Sequence, residues 1–396
     1  MRILIIEPEC NGHHIITYIR FILRLLLSHK IEVIIITSSK SKNHFSLKTI
    51  KKIYPRIKIK FIKYSKPKNY SSFFLLLYQI KLYFLIKKTF IEITANYRID
   101  KVFINSIDHF DKALSIFGDP FKKTPFFGMY TLPKFHFSFF KFKNSGRFQF
   151  ISKYLFKRLL NIDNLFKILV NDHFFLKYLK ETRFKNLNKV NFFFHPVEFF
   201  KKYSKKNAYK KLGLPRQSIP ILVYGYLKIS KGILQLLQAI SDHRVHKKAV
   251  VILAGDQDSE IRKILQKKYY NNLVINKKLF IYEGFQNDKQ ESILLSAAKI
   301  VWVGYRNILF TSGILHQAAV NNIPVIATSQ GVIGNLTLKY NLGLRVNVDR
   351  KNSIIKSIND ICYKKYKNKI LNNQNKLVKN SHPKLFMRLI YDLLSK

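Results

Sequence analysis

Cysteine is nearly missing from this chain, with Cys10 and Cys362 far apart and at no metal-ligand spacing. That argues against a disulfide framework and a structural zinc site, and a reducing compartment is expected. Acid is also scarce: 22 Asp and Glu stand against 71 Lys and Arg, a formal charge of +49. Such a balance points to an anionic partner, nucleic acid or membrane. It has a second source, because Gly, Pro, Ala and Trp are rare while Lys, Ile, Asn, Phe and Tyr, residues of A/T-rich codons, abound. No Gly-Lys-Ser/Thr phosphate loop, Gly-x-Ser-x-Gly elbow or full dinucleotide fingerprint occurs, and His13-His14 lack partners at ligand spacing. A P-loop enzyme, a covalent hydrolase and a zinc enzyme are disfavoured. The opening MRILIIEPE meets Glu7 too early for a signal sequence and reads as a first strand. The most apolar segment, Phe73 to Ile93, carries Gln79, Lys81, Lys87, Lys88 and Glu92, so it reads as a buried or membrane-surface helix and not as a span.

What the chain does have is apolar residue, 47% of 396 positions, enough for two cores of roughly 200 residues each. Arg2 to Pro8 is a strand followed by a Gly-containing turn, then by Ile15, Ile19, Ile22 and Leu26 on one helical face. EVIIIT, from Glu32, is β-branched without polar alternation, as suits a parallel sheet covered on both faces. Further strands are expected at Ile57 to Tyr64, Lys101 to Asn105, Pro125 to Met129 and Lys167 to Val170. A basic, polar stretch from Phe199 to Lys211 marks a boundary. After it, strands at Ile219 to Gly225, Ala249 to Gly255, Leu279 to Glu283 and Ile300 to Gly304 alternate with helices, among them Ser259 to Tyr270 and Asp288 to Ala298. Two doubly wound α/β domains follow, at 1–200 and 201–378, with 379–396 a C-terminal helix free to return to the first. Within 134–158, Phe and Tyr interleave with Lys and Arg. That segment either docks on an anionic membrane or is a partly core element with solvated lysines. Nucleic-acid binding is disfavoured, since no such module accompanies it.

In a doubly wound domain ligands meet the carboxyl ends of the strands. The stretch Ile308 to Gly334 supplies such a place, because Thr311-Ser312-Gly313 opens a short helix whose unpaired N–H groups suit a phosphate or merely pack closely. Beside it stand Gly225 to Gly232 with Lys228 and Lys231, Ala254-Gly255-Asp256, and Glu283-Gly284-Phe285. Asp256 reads as a helix N-cap.

GYLKISKGILQLLQAI, VVILAGDQD, LFIYEGFQNDKQESILLSAAKIVWVGY and SGILHQAAVNNIPVIATSQGVIG, in that order, resemble the carboxyl-terminal domain of the glycosyltransferase family 4 group. MRILIIEPECNGHHIITYIRFI is similar to that group's first strand, Gly-loop and helix, and AYKKLGLP to its entry into the second domain. The resemblance implies a GT-B fold, two Rossmann-like domains facing each other across a cleft, and a retaining, metal-independent hexosyl-type transfer. The donor would be a nucleotide diphosphate sugar, with no separate cofactor. The acceptor would be a glycan or lipid-linked glycan of cell-surface polysaccharide, and the enzyme cytoplasmic, peripheral on the inner face of the membrane. It assigns the diphosphate to Lys231, Lys228, Thr311, Ser312 and Gly313, and nucleoside or sugar contacts to Gln317, Gly225, Gly284, Phe285 and Gly12. His109, Asp108 and His13 fall near the transferred sugar, though His13 equally caps or packs on the first helix. Departures are plain: Tyr226 replaces an arginine, Asn335 stands where a glutamate is common, and Leu309 and Gln317 replace the group's paired glutamates. The alternative is therefore a GT-B protein that binds sugar nucleotide or glycan with impaired catalysis.

Overall fold

The computed structural model describes residues 1–8, 18–64, 72–140, 149–363 and 371–395. The chain divides into two compact units, Met1–Phe194 with Pro383–Lys396, and His195–His382. In the first, strands β1 (Arg2–Glu7), β2 (Glu32–Ser38), β3 (Lys58–Ile62), β4 (Lys101–Ile104), β5 (Phe126–Met129), β6 (Leu165–Val170) and β7 (Val190–Phe192) form one sheet in the order β3-β2-β1-β4-β5-β6-β7. Every pairing is parallel. β1 shows why its sequence reads as an unbroken apolar run. Leu4 and Ile6 point into a core shared with helices Ser72–Thr94, Asp111–Phe117 and Gln149–Leu160, while Ile3 and Ile5 point into one shared with Arg20–Ser28 and Pro383–Ser395. Successive side chains of a strand face opposite ways, so a sheet covered by helices on both sides needs both sets apolar. The last helix is fastened by Lys101, whose Nζ donates to the Leu394 carbonyl at 2.7 Å.

The second unit is built likewise. β8 (Ile219–Tyr224), β9 (Ala249–Gly255), β10 (Leu279–Glu283), β11 (Ile300–Val303), β12 (Val325–Thr328) and β13 (Gly343–Val346) run parallel in the order β10-β9-β8-β11-β12-β13. Trp302 is fully buried in its core.

Some expectations change. Ser259 to Tyr270 is two helices, Ser259–Leu265 and Lys268–Ile275. The core positions explain the break: Ile261 and Leu265 lie a helical turn apart, but the next buried pair, Tyr270 and Leu273, is out of phase with them. The cap is Asp258, whose carboxylate accepts from the Ile261 N–H at 2.8 Å, while Asp256 gives its backbone carbonyl to Leu227. Phe73 to Ile93 is helical, and no helix among the described residues is long and apolar enough to cross a membrane.

Candidate functional site

In the second unit, the loops after β8, β9 and β11 are pressed together at the carboxyl edge of the sheet. β8 and β9 end side by side at Gly225 and Gly255, and a Cβ on Gly255 would come within 2.1 Å of the Gly225 carbonyl oxygen. Beyond Gly225 the chain closes a tight turn, Ile229–Lys231, which leaves through Gly232 in the left-handed region at φ 66°. This turn is held to the end of β11. Trp302 Nε1 donates to the Lys231 carbonyl at 2.8 Å, and the Arg306 N–H donates to the Ser230 carbonyl at 2.8 Å.

The Lys231 side chain is thereby drawn inward. Its Nζ donates to the Tyr224 carbonyl at 2.5 Å and lies 5.7 Å from the centroid of the Tyr305 ring. Burial, with the charge of Lys228 added, brings its pKa down to about 7, whereas Lys228 itself is exposed. Tyr305 in turn sets its hydroxyl 3.1 Å from Ser312 Oγ, and burial pushes that phenol up to about 12. Lys231 and Ser312, far apart in sequence, are thus bridged by one aromatic side chain. Tyr305 is the residue that motif reasoning left without a role; it closes the stretch from Leu279 that carries the resemblance, but nothing in that stretch singles it out.

Ser312 has the extended backbone of an N-cap for the helix Gly313–Val320, yet its hydroxyl makes no cap hydrogen bond, being turned toward Tyr305. Gly313 sits so close to His195 that a Cβ would lie 2.6 Å from Nε2. Thr311 Oγ1 is 3.2 Å from Nε2 of His316, whose Nδ1 is 2.9 Å from Ser381 Oγ. His316 is buried, and burial together with His195 holds its pKa well below the ordinary imidazole value. Gly225 and Gly284 both have positive φ, 92° and 90°, and Phe285 is half-buried.

The first unit gathers polar groups at the carboxyl ends of β1, β4 and β5. Glu7, fully buried, accepts from Asn105 Nδ2 at 2.5 Å and lies 3.7 Å from His109 Nε2. Asp108 accepts from the N–H groups of Thr131 and Leu132 at 2.9 and 2.8 Å. These bonds favour its anion, but burial outweighs them and raises its pKa to about 6. The folded protein therefore holds this proton to higher pH than the unfolded chain. Asp108 supports folding most below about pH 4, and that support is withdrawn as pH rises through about 6. A carboxyl carbon titration should find its midpoint near 6, and one near the usual carboxylate value would contradict the placement. Gly12 and His13 lie outside the described residues.

The basic aromatic segment divides. Phe135, Phe137 and Phe156 are buried, and His136 lies 3.0 Å from Asp172 within the same aromatic cluster, whereas Phe139, Phe150 and Tyr154 are exposed. Residues 141–148 lie outside the described residues.

No protein-family model matches the chain, and no curated protein sequence does. Solved structures do match. Sucrose-phosphate synthase from Thermosynechococcus elongatus superposes with a TM-score of 0.71 at 14% identity, covering 100% of this chain and 98% of that one. Anabaena HepE, solved in complex with UDP-glucose, gives 0.70 at 15% identity, covering 100% and 99%. A glycosyltransferase from Rickettsia africae gives 0.66 at 17%, covering 99% and 97%. The chain has the GT-B fold.

Within this GT-B chain the two positions that depart most from the family 4 pattern are both occupied by internal contacts. Leu309 is buried, and its carbonyl accepts from the Val332 N–H at 2.8 Å. Gln317 is buried too, with its amide nitrogen donating to the Glu198 carbonyl at 3.0 Å. Replacing Gln317 by the glutamate of the pattern turns that donor into an acceptor facing a carbonyl oxygen. Gln317→Glu should therefore destabilise by about 2 kcal/mol. Denaturant unfolding checks this, and a variant as stable as the parent would contradict the contact.

Proposed function

We propose that this protein transfers a sugar from a nucleotide diphosphate sugar to a glycan or lipid-linked glycan acceptor, with retention, at the cytoplasmic face of a membrane. The observation that carries the proposal is the Lys231–Tyr305–Ser312 arrangement, which sets a buried amine beside a helix start at the carboxyl edge of a doubly wound sheet. An amine with a pKa near 7 is available to be recharged by an incoming anion, and the first N–H groups of Gly313–Val320 supply the second contact. HepE was solved with UDP and with UDP-glucose, which supports a nucleotide diphosphate sugar as donor. As the sugar leaves, negative charge grows on the diphosphate; Lys231, Lys228 and the helix start stabilise it in place of a metal ion. On the acceptor side, Asp108 and His109, with His13, are the residues proposed to meet the transferred sugar.

A second reading has specific support. Leu309 and Gln317 place no carboxylate where the family pattern has two, so the same site would bind sugar nucleotide without turning it over. One experiment separates the readings. Purified protein is screened by calorimetry against UDP-sugar and GDP-sugar series, then incubated with the donor that binds and a lipid-glycan extract. Transfer supports the first reading. Binding without transfer or slow donor hydrolysis supports the second, and no binding of any nucleotide sugar overturns both.

A further inference from the structure

The helix Ser72–Thr94 packs Leu82, Tyr83, Ile86 and Phe90 into the first core, and its outer side is not the polar face expected of a surface helix. Phe73, Leu77, Phe84 and Ile91 are 65%, 46%, 49% and 41% exposed. At 100° per residue these positions fall within about 40° of one another, drawing one apolar line roughly 27 Å long. Exposed Lys81 and Lys88 flank the line on one side and Lys87 on the other. The neighbouring helix widens the patch. The Phe117 ring lies tilted against Phe84 with centroids 5.1 Å apart, and Ile116, also exposed, gives its carbonyl to Arg158 at 3.4 Å. Glu92, the acid of this helix, is paired with Lys60 at 3.0 Å.

We infer that this stripe, with Ile116 and Phe117, seats the protein on an anionic lipid surface. The chemistry favours that occupant. A straight line of phenylalanine, leucine and isoleucine lies below the headgroups, while long lysines on both flanks reach back to the phosphates. A nucleic acid would take the charge but leave Leu77, Ile91 and Ile116 in water. The inference deepens the membrane-facing part of the proposed function, on which it rests, and moves the seat from 134–158 to this helix.

The test uses the full chain and no donor or acceptor, so its failure leaves the reading of sugar transfer standing. Co-sedimentation is measured with vesicles of phosphatidylcholine alone and of equal parts phosphatidylcholine and phosphatidylglycerol, at low and high salt. The parent should bind the anionic vesicles and be released by salt. The double variant Phe73→Gln, Phe84→Gln, altered only at exposed positions, should bind at least about tenfold more weakly while keeping the parent's melting temperature. Because Trp302 is the chain's one tryptophan and is buried, Phe84→Trp gives a second readout. Its emission should shift to the blue on anionic vesicles. Equal vesicle binding by parent and double variant, or no shift of the new emission, overturns the inference. So does equal loss by the double variant of binding to a single-stranded oligonucleotide, which would make the stripe a nucleic-acid surface.

Discussion

Binding of a nucleotide sugar should weaken about tenfold for each pH unit above about 7, and Lys231→Met should remove that dependence along with at least about a hundredfold of affinity. In the free protein, burial leaves the Lys231 amine with a pKa of about 7. A diphosphate beside it favours the ammonium, so binding must take up a proton whenever the amine is neutral. The diphosphate diester of a nucleotide sugar keeps its own charge throughout this range, so the slope belongs to the protein. Calorimetry in buffers of different ionisation enthalpy measures the uptake directly. Stability of the free protein should show the converse. Between about 7 and 10.5 the folded state binds fewer protons than the unfolded chain, so stability rises with pH across that window. Lys231→Met should flatten this rise, since methionine fills similar volume without a charge to bury. Donor affinity that is level from pH 7 to 9, or unchanged in the variant, would remove Lys231 from the site.

Much of the frame behind that prediction is legible in sequence. The unalternated runs at Ile3 to Ile6 and Val250 to Ala254 announce strands buried on both faces, and Ser312-Gly313 announces a helix start. What is not legible depends on contacts across long separations. Gln317 reads as a residue for a ribose hydroxyl, but its amide is bound to Glu198, 119 residues earlier. Tyr305 ends the stretch from Leu279 without being singled out in it, and its importance comes only from standing between Lys231 and Ser312 in space. β7 is three residues at a sheet edge, too short to show a period. Asp256 and Asp258 offer the same local chemistry. The choice between them is made by Leu227, which pairs with the 256–258 segment and draws the first carbonyl away.

Gly232→Ala should disrupt the site strongly. Its φ of 66° costs an L residue roughly 1 kcal/mol on its own. The added Cβ would also lie 2.1 Å from the Gly304 carbonyl oxygen and 3.0 Å from Val348 Cγ1. The nearer obstacle is backbone, which cannot swing aside as a side-chain end can. Relief would have to come from lifting the 229–232 turn off β11, which breaks the Trp302 bond to the Lys231 carbonyl. We expect a total cost of about 3 kcal/mol or more, with donor affinity falling alongside because Lys231 is carried on the same turn. Gly213→Ala separates the two causes. Its φ is similarly positive at 54°, but nothing lies within 4 Å of the new methyl, so it should cost only the roughly 1 kcal/mol of backbone strain and leave donor binding intact. Paired denaturant unfolding and donor titration of the two variants measure the difference. If they prove equally stable, the close approach of the Lys231 turn to β11 is wrong, and with it the route by which Trp302 and Gly304 set the amine in place.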